Sequence, residues 1–147
     1  MQDTFIDVAE KKWVAAKHIA EVSYPSIGDP KLLMSSILAL EECSRYIISA
    51  ALKCEEVVPK LSFNLFFRKF KSNTDTGFDP LTFELSAMLD VHAISIEHEN
   101  SKVEFPRQDK FVMADEDFHI DYIDKDHVKM YCKDIGSLLK KVREVVN

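Results

Sequence analysis

Apolar residues recur three and four apart through most of the chain, and that period predicts helices. Over 3–22, Ile6, Ala9, Trp13, Ala16 and Ala20 form one stripe, with charged residues mostly on the other side. Pro25 disfavours helix at Tyr24, and Gly28 suits a turn, so a break is expected over 23–28. The next helix, 29–53, has Asp29 as cap and Pro30 in its first turn. Leu33, Ile37, Leu40, Ile47 and Ala51 fill one side, beside a stripe of small residues at Ser36, Cys43, Ala50 and Cys54. A helix so apolar around its circumference is predicted to be central, with the small stripe packing on the fourth or last helix.

Pro59 ends that region, and 61–71 reads as a short helix with Phe63, Phe66, Phe67 and Phe70 on one side. A polar loop is expected over 72–77, and Asp79-Pro80 repeats the cap-plus-proline opening for a fourth helix over 81–98. Over 99–123 the helical period is lost: Phe111-Val112-Met113 and 118–123 look like short strands around an acidic turn, a small β-hairpin or loop appendage. Asp124 then caps a last helix running to Val146. Its stripe of Val128, Tyr131, Ile135, Leu138, Val142 and Val145 is the cleanest amphipathic signal in the chain. Such a seam faces either the central helix or a second protomer. The expectation is a single all-α domain over 1–147: an up-and-down bundle of four long helices plus one short helix, with the appendage near 99–123.

Composition agrees with this picture. With only 3 glycines and 5 prolines in 147 residues, the chain lacks the turns of an all-β fold. A net charge of −6 argues against a surface that binds nucleic acid or anionic membrane throughout, while leaving room for a local basic patch. No apolar run approaches the roughly 20 residues of a membrane span. The N-terminus lacks a secretory pattern, and three scattered cysteines suit reduced thiols, so a cytoplasmic location is expected.

Four groups of residues are candidates for chemistry. His92 lies on the apolar stripe of the fourth helix, where a buried, hydrogen-bonded histidine is expected; Asp90, two residues away, points elsewhere. Asp115, Glu116, Asp117, His119 and Asp121 superficially alternate like metal ligands. However, Ile120 stands where a calcium loop needs glycine and Asp126 where it needs glutamate, so a solvated acidic turn is preferred and no metal is expected. Lys60, Arg68, Lys69 and Lys71 gather beside the phenylalanines of the short helix, and basic groups among aromatics can hold phosphates and stack bases. Arg107 and Lys110 would add phosphate contacts. Glu41 and Arg45, four apart, are expected to form an exposed helix pair. No nucleophile motif or glycine-rich phosphate loop is present, and no cofactor is implied.

The runs Ala15-Ala16-Lys17-His18-Ile19, Tyr24-Pro25, Asp29-Pro30-Lys31-Leu32-Leu33 and 103–112 resemble a group of small uncharacterised archaeal helical proteins. More remotely, the helix order is similar to the HEPN superfamily of helical bundles, which implies a homodimer acting as a ribonuclease or as a partner of nucleotidyltransferases. HEPN ribonucleases carry an arginine followed, after four to six residues, by histidine. Arg45, Arg68, Arg107 and Arg143 have none at that distance, so the resemblance does not carry that activity over. Two functions follow. One is a non-catalytic helical module that dimerises or docks on a protein partner. The other is a nucleic-acid- or nucleotide-binding HEPN-like protein, which includes a diverged ribonuclease lacking the usual arginine–histidine motif.

Overall fold

The computed structural model describes residues 3–77 and 81–146; burial is given for 3–74 and 81–146. Helix α1, Phe5–His18, opens on a reciprocal cap in which the Thr4 hydroxyl accepts from Asp7 N–H and the Asp7 carboxylate accepts from Thr4 N–H. The predicted break at 23–28 does not occur. The chain passes through a π turn, Ile19–Ser23, into the single turn α2, Tyr24–Ile27, and ends at Gly28 with φ 76. Pro25 lies in the first turn of α2, where its missing N–H is tolerated. Gly28 N–H then closes the turn on the Tyr24 carbonyl at 2.7 Å.

Helix α3, Lys31–Ala51, is central as expected, packed against α1, α4, Phe63–Gly77, α5, Thr82–Asn100, and α6, Lys125–Val146. Its most extensive neighbour is α1, whereas the small stripe was expected to meet the fourth or last helix. Ser36 on the small stripe donates its hydroxyl to the Ala16 carbonyl at 2.8 Å, so the stripe lets α1 come close. The chain leaves α3 through Lys53, at φ 55, and crosses to a 3₁₀ turn at Lys60–Ser62. That crossing is clamped onto α3. Ser49 Oγ accepts from Val58 N–H at 2.9 Å, and Arg45 Nη1 donates to the Val58 carbonyl at 3.4 Å.

Helix α4 is longer than predicted, because 72–77 continues it. Asn, Thr, Asp and Gly there are weak helix formers. Burial of Thr74, whose hydroxyl donates to the Lys71 carbonyl, anchors the extra turn. The expected Asp79-Pro80 start lies outside the described residues.

Residues 103–123 form more than a hairpin. Strands β1, Val103–Arg107, β2, Lys110–Ala114, and β3, Ile120–Ile123, make an antiparallel sheet in sequence order. Pro106 excludes helix but not strand, since it sits in an edge strand, where a missing N–H is tolerated. The fold is thus mostly helical with a three-stranded sheet inserted between α5 and α6. No helix among the described residues is long and apolar enough to cross a membrane.

Along α6, Val128, Tyr131, Ile135, Leu138 and Val142 are buried within this one chain, and only Val145 is exposed. Helix α6 packs on α1, α3 and α5, so the first five seam residues face the protein's own core and are not open to a second protomer. Their regular period reflects three neighbours along one stripe. Where α1 and α6 cross, Trp13 Nε1 donates to the Cys132 carbonyl at 2.7 Å. A Cβ on Gly136 would stand 2.7–2.8 Å from the indole ring. Glycine inside a helix costs about 1 kcal/mol relative to alanine, and here it leaves room for the ring. Gly136→Ala is expected to lower stability by about 1–3 kcal/mol despite its better helix propensity, as measured by urea unfolding.

Candidate functional site

The sheet has two unlike faces, set by side-chain alternation. Phe111, Met113 and Ile123 point inward and are buried. On the other face the register aligns Val103, Ala114 and Ile120 in one row, and Phe105, Val112 and Tyr122 in the next. Arg107 and Lys110 close that face as direct partners at the β1–β2 turn. Its side chains remain partly open to solvent, Val103 55 % exposed, Phe105 39 %, Ile120 71 % and Tyr122 42 %, with the Tyr122 ring centre 5.9 Å from that of His127 on α6. Only Val112, in the middle strand, is sheltered, by its neighbours on both sides. A groove of about 300 Å³ runs over these side chains. Lys110 places its ammonium 4.4 Å from the centre of the Tyr122 ring.

The opposite end of the sheet is acidic. Asp115 Oδ1 accepts from the N–H groups of Asp117 and His119, both at 2.9 Å, which folds the β2–β3 turn. These bonds hold the Asp115 carboxyl below the ordinary aspartate value, the first cause being the His119 N–H. Phe118, 85 % exposed, takes the left-handed φ of 60 in this turn, an unusual conformation for an aromatic residue. Lys102 pairs with Glu116 at 3.1 Å. Asp115, Asp117 and His119 bring potential ligand atoms within 4.8 Å of one another. The hydrogen bonds within the turn account for that proximity.

The basic residues predicted to bind nucleic acid fall in separate places. Lys60 is tied to Glu99 at 2.5 Å. Arg68, Lys69 and Lys71 lie on the outer face of α4, with the Lys69 ammonium 5.4 Å from the Phe66 ring centre. Phe63, Phe67 and Phe70 are buried, so the aromatic side of α4 is core. Arg107 and Lys110 alone sit beside exposed aromatic rings on a common surface. Sequence reasoning named those two cations but missed Phe105, Tyr122, Ile120 and Val103, because β1 was not recognised. The signal was present as alternation in Val103-Glu104-Phe105-Pro106-Arg107.

Glu41 and Arg45 do not form the exposed pair expected. Glu41 is buried, and Arg45 grips it through Nε and Nη2 at 2.8 and 3.1 Å. The pair is enclosed because α4 and α5 cover that side of α3. His92 is buried as expected, stacked on Phe63 with ring centres 4.1 Å apart. The expected hydrogen bond is missing. Its Nδ1 stands 3.7 Å from Glu41 Oε1, beyond bonding distance, and neither that nitrogen nor Ser95 Oγ has a hydrogen-bond partner among the described residues. Burial holds the imidazole below the ordinary histidine value, with the Glu41 charge opposing.

Between α5, α6 and β3 lies a cavity of about 290 Å³, lined among others by Asp90, Glu97, Asp121, His127 and Tyr131. Burial and then the Asp121 charge push Glu97 above the ordinary glutamate value. Burial and then Asp90 push the Tyr131 phenol up to about 12. This acidic side was not read from the sequence, since its members come from three elements and share no motif. Cys43 and Cys132 are both buried; burial raises the first strongly and the second to about 11, so both are thiols at neutral pH. No family model, curated protein or solved structure matches the chain, so the resemblances drawn above rest on the residues that suggested them.

Two outcomes follow for these polar groups. Arg45→Met leaves the Glu41 carboxylate buried and unpaired, and should cost about 3–5 kcal/mol in chemical denaturation. The double variant Glu41→Leu/Arg45→Met should cost markedly less. For Glu97 the folded pKa is raised, so ionisation disfavours the folded state as pH rises from the unfolded glutamate value through the folded one. Glu97→Gln should therefore raise the melting temperature at pH 7, with the difference shrinking toward pH 4 in paired thermal melts.

Proposed function

We propose that this chain is a non-catalytic interaction module whose working surface is the open face of its sheet. The observation that carries this reading is the set of exposed Val103, Phe105, Ile120 and Tyr122 on one face of the sheet, around the sheltered Val112. Contiguous exposed apolar side chains on a folded domain mark places where another molecule sits. A sheet packed on one side only loses no stability when a partner covers the other. The groups with perturbed protonation do not compose a reacting set. The Cys43 and Cys132 thiols are neutral and enclosed, and His92 is stacked in the core.

A second reading, binding of single-stranded nucleic acid, draws support from Arg107 and Lys110 beside Phe105 and Tyr122. Aromatic rings with cations at their edge suit base stacking and phosphate contacts. Both readings use the same face, in place of the α6 seam or the α4 patch.

The test compares the wild-type chain with Phe105→Ser/Ile120→Ser. Sedimentation velocity over a concentration series reads self-association, and fluorescence polarisation reads binding of a labelled single-stranded RNA at low salt. The wild type is expected to associate in at least one assay and the double variant in neither, with unchanged circular dichroism. A wild-type chain that stays monomeric and ignores the RNA would falsify the proposal.

A further inference from the structure

We infer that the partner of the open sheet face is a second copy of this chain, seated face to face with its strands reversed. The inference rests on the module reading above and names the partner. It comes from the charge layout of the face. At the β1–β2 end stand Arg107 and Lys110, direct partners in the register, with the exposed Asp109 in the turn between them offsetting one of the two positive charges. At the β2–β3 end stand Asp115, Glu116 and Asp117, offset only in part by Lys102 on Glu116. The rows between carry no charge. The face is therefore a dipole with an apolar middle, and its best-matched surface is its own copy turned around.

Symmetry selects the arrangement. Two sheets packed face to face are related by a two-fold axis lying in the plane between them. With that axis across the strands, the cations of each copy lie over the acids of the other, twice. With the axis along the strands, like charge meets like at both ends, which disfavours that mode. In the favoured mode the axis falls between the two apolar rows, so Phe105, Val112 and Tyr122 of one copy face Val103, Ala114 and Ile120 of the other. Phe118, held outward at the acidic rim, comes to the end where the other copy's Arg107 arrives. A guanidinium over that ring is a favourable contact.

Single-stranded nucleic acid fits the face less well. Its phosphates would run from Arg107 and Lys110 into the acidic turn, and the Lys110 ammonium already lies over the Tyr122 ring. Three strands of four or five residues offer less than the roughly 800 Å² per partner of a stable complex. The dimer is accordingly weak, with a dissociation constant on the order of 10–500 µM.

The experiment uses two charge-reversed chains, Arg107→Glu/Lys110→Glu and Glu116→Lys/Asp117→Lys, in sedimentation equilibrium at low salt. Each alone repels itself at both ends and should self-associate roughly tenfold or more weakly than wild type. An equimolar mixture should form a heterodimer within about threefold of the wild-type affinity, because both ends match again. Should a reversed chain fail to fold by circular dichroism, Arg107→Gln/Lys110→Gln takes its place and should weaken the homodimer by at least about threefold. Reversed chains that dimerise like wild type, or a mixture no tighter than its parts, overturn the inference. A wild-type chain that is monomeric yet binds labelled RNA through Phe105 overturns the second copy and leaves the module reading standing. A chain that does neither overturns both.

Discussion

The structure depends on enclosing α3. A helix with neighbours on so many sides has little solvent left to take its charges, yet its sequence includes Glu41 and Arg45 midway along it. Two guanidinium nitrogens of Arg45 donate to the two carboxylate oxygens of Glu41, and the third, Nη1, reaches the Val58 carbonyl. Ser49 takes the Val58 N–H. Two turns of α3 thus neutralise their own buried charge and fasten the crossing that leads to α4. Such a network is worth more intact than in parts, since any single loss strands a buried polar group.

How much of this was legible depended on whether one residue's neighbours in sequence were also its neighbours in space. The central role of α3 and the amphipathic face of α6 are carried by periodicity, and both were read from it. The burial of Glu41 was not, because an i,i+4 acid–base pair looks the same on an exposed and a covered helix. The α6 seam showed regular spacing without saying which surface it meets; Val128 through Val142 meet the same chain. Pro25 was taken to stop a helix, yet the π turn before it shifts the bonding so that the chain runs on. Residues 72–77 have poor helix propensity, and the burial of Thr74 overrides it. The candidate site was half visible: Arg107 and Lys110 stood out by charge, whereas Phe105 and Tyr122 acquire meaning only once β1 pairs with β2 and β2 with β3.

The sheet also explains how one short insertion serves two ends. Its inner face adds Phe111, Met113 and Ile123 to the helical core, and the His98–Glu104 contact at 2.6 Å ties its first strand to the end of α5. Its outer face adds nothing to the core. The cost of folding the strands is met from one side, which leaves the other free to vary. Stability and recognition are therefore carried by alternate residues of the same three strands.

The crossing of Trp13 over Gly136 has a practical side. Trp13 is the chain's single tryptophan, and its indole N–H is held by the Cys132 carbonyl where α1 meets α6. Its fluorescence therefore reports the docking of the first helix on the last, while the rings on the open sheet face are phenylalanine and tyrosine. Emission from one side chain can follow the bundle's integrity without being disturbed by whatever settles on the sheet.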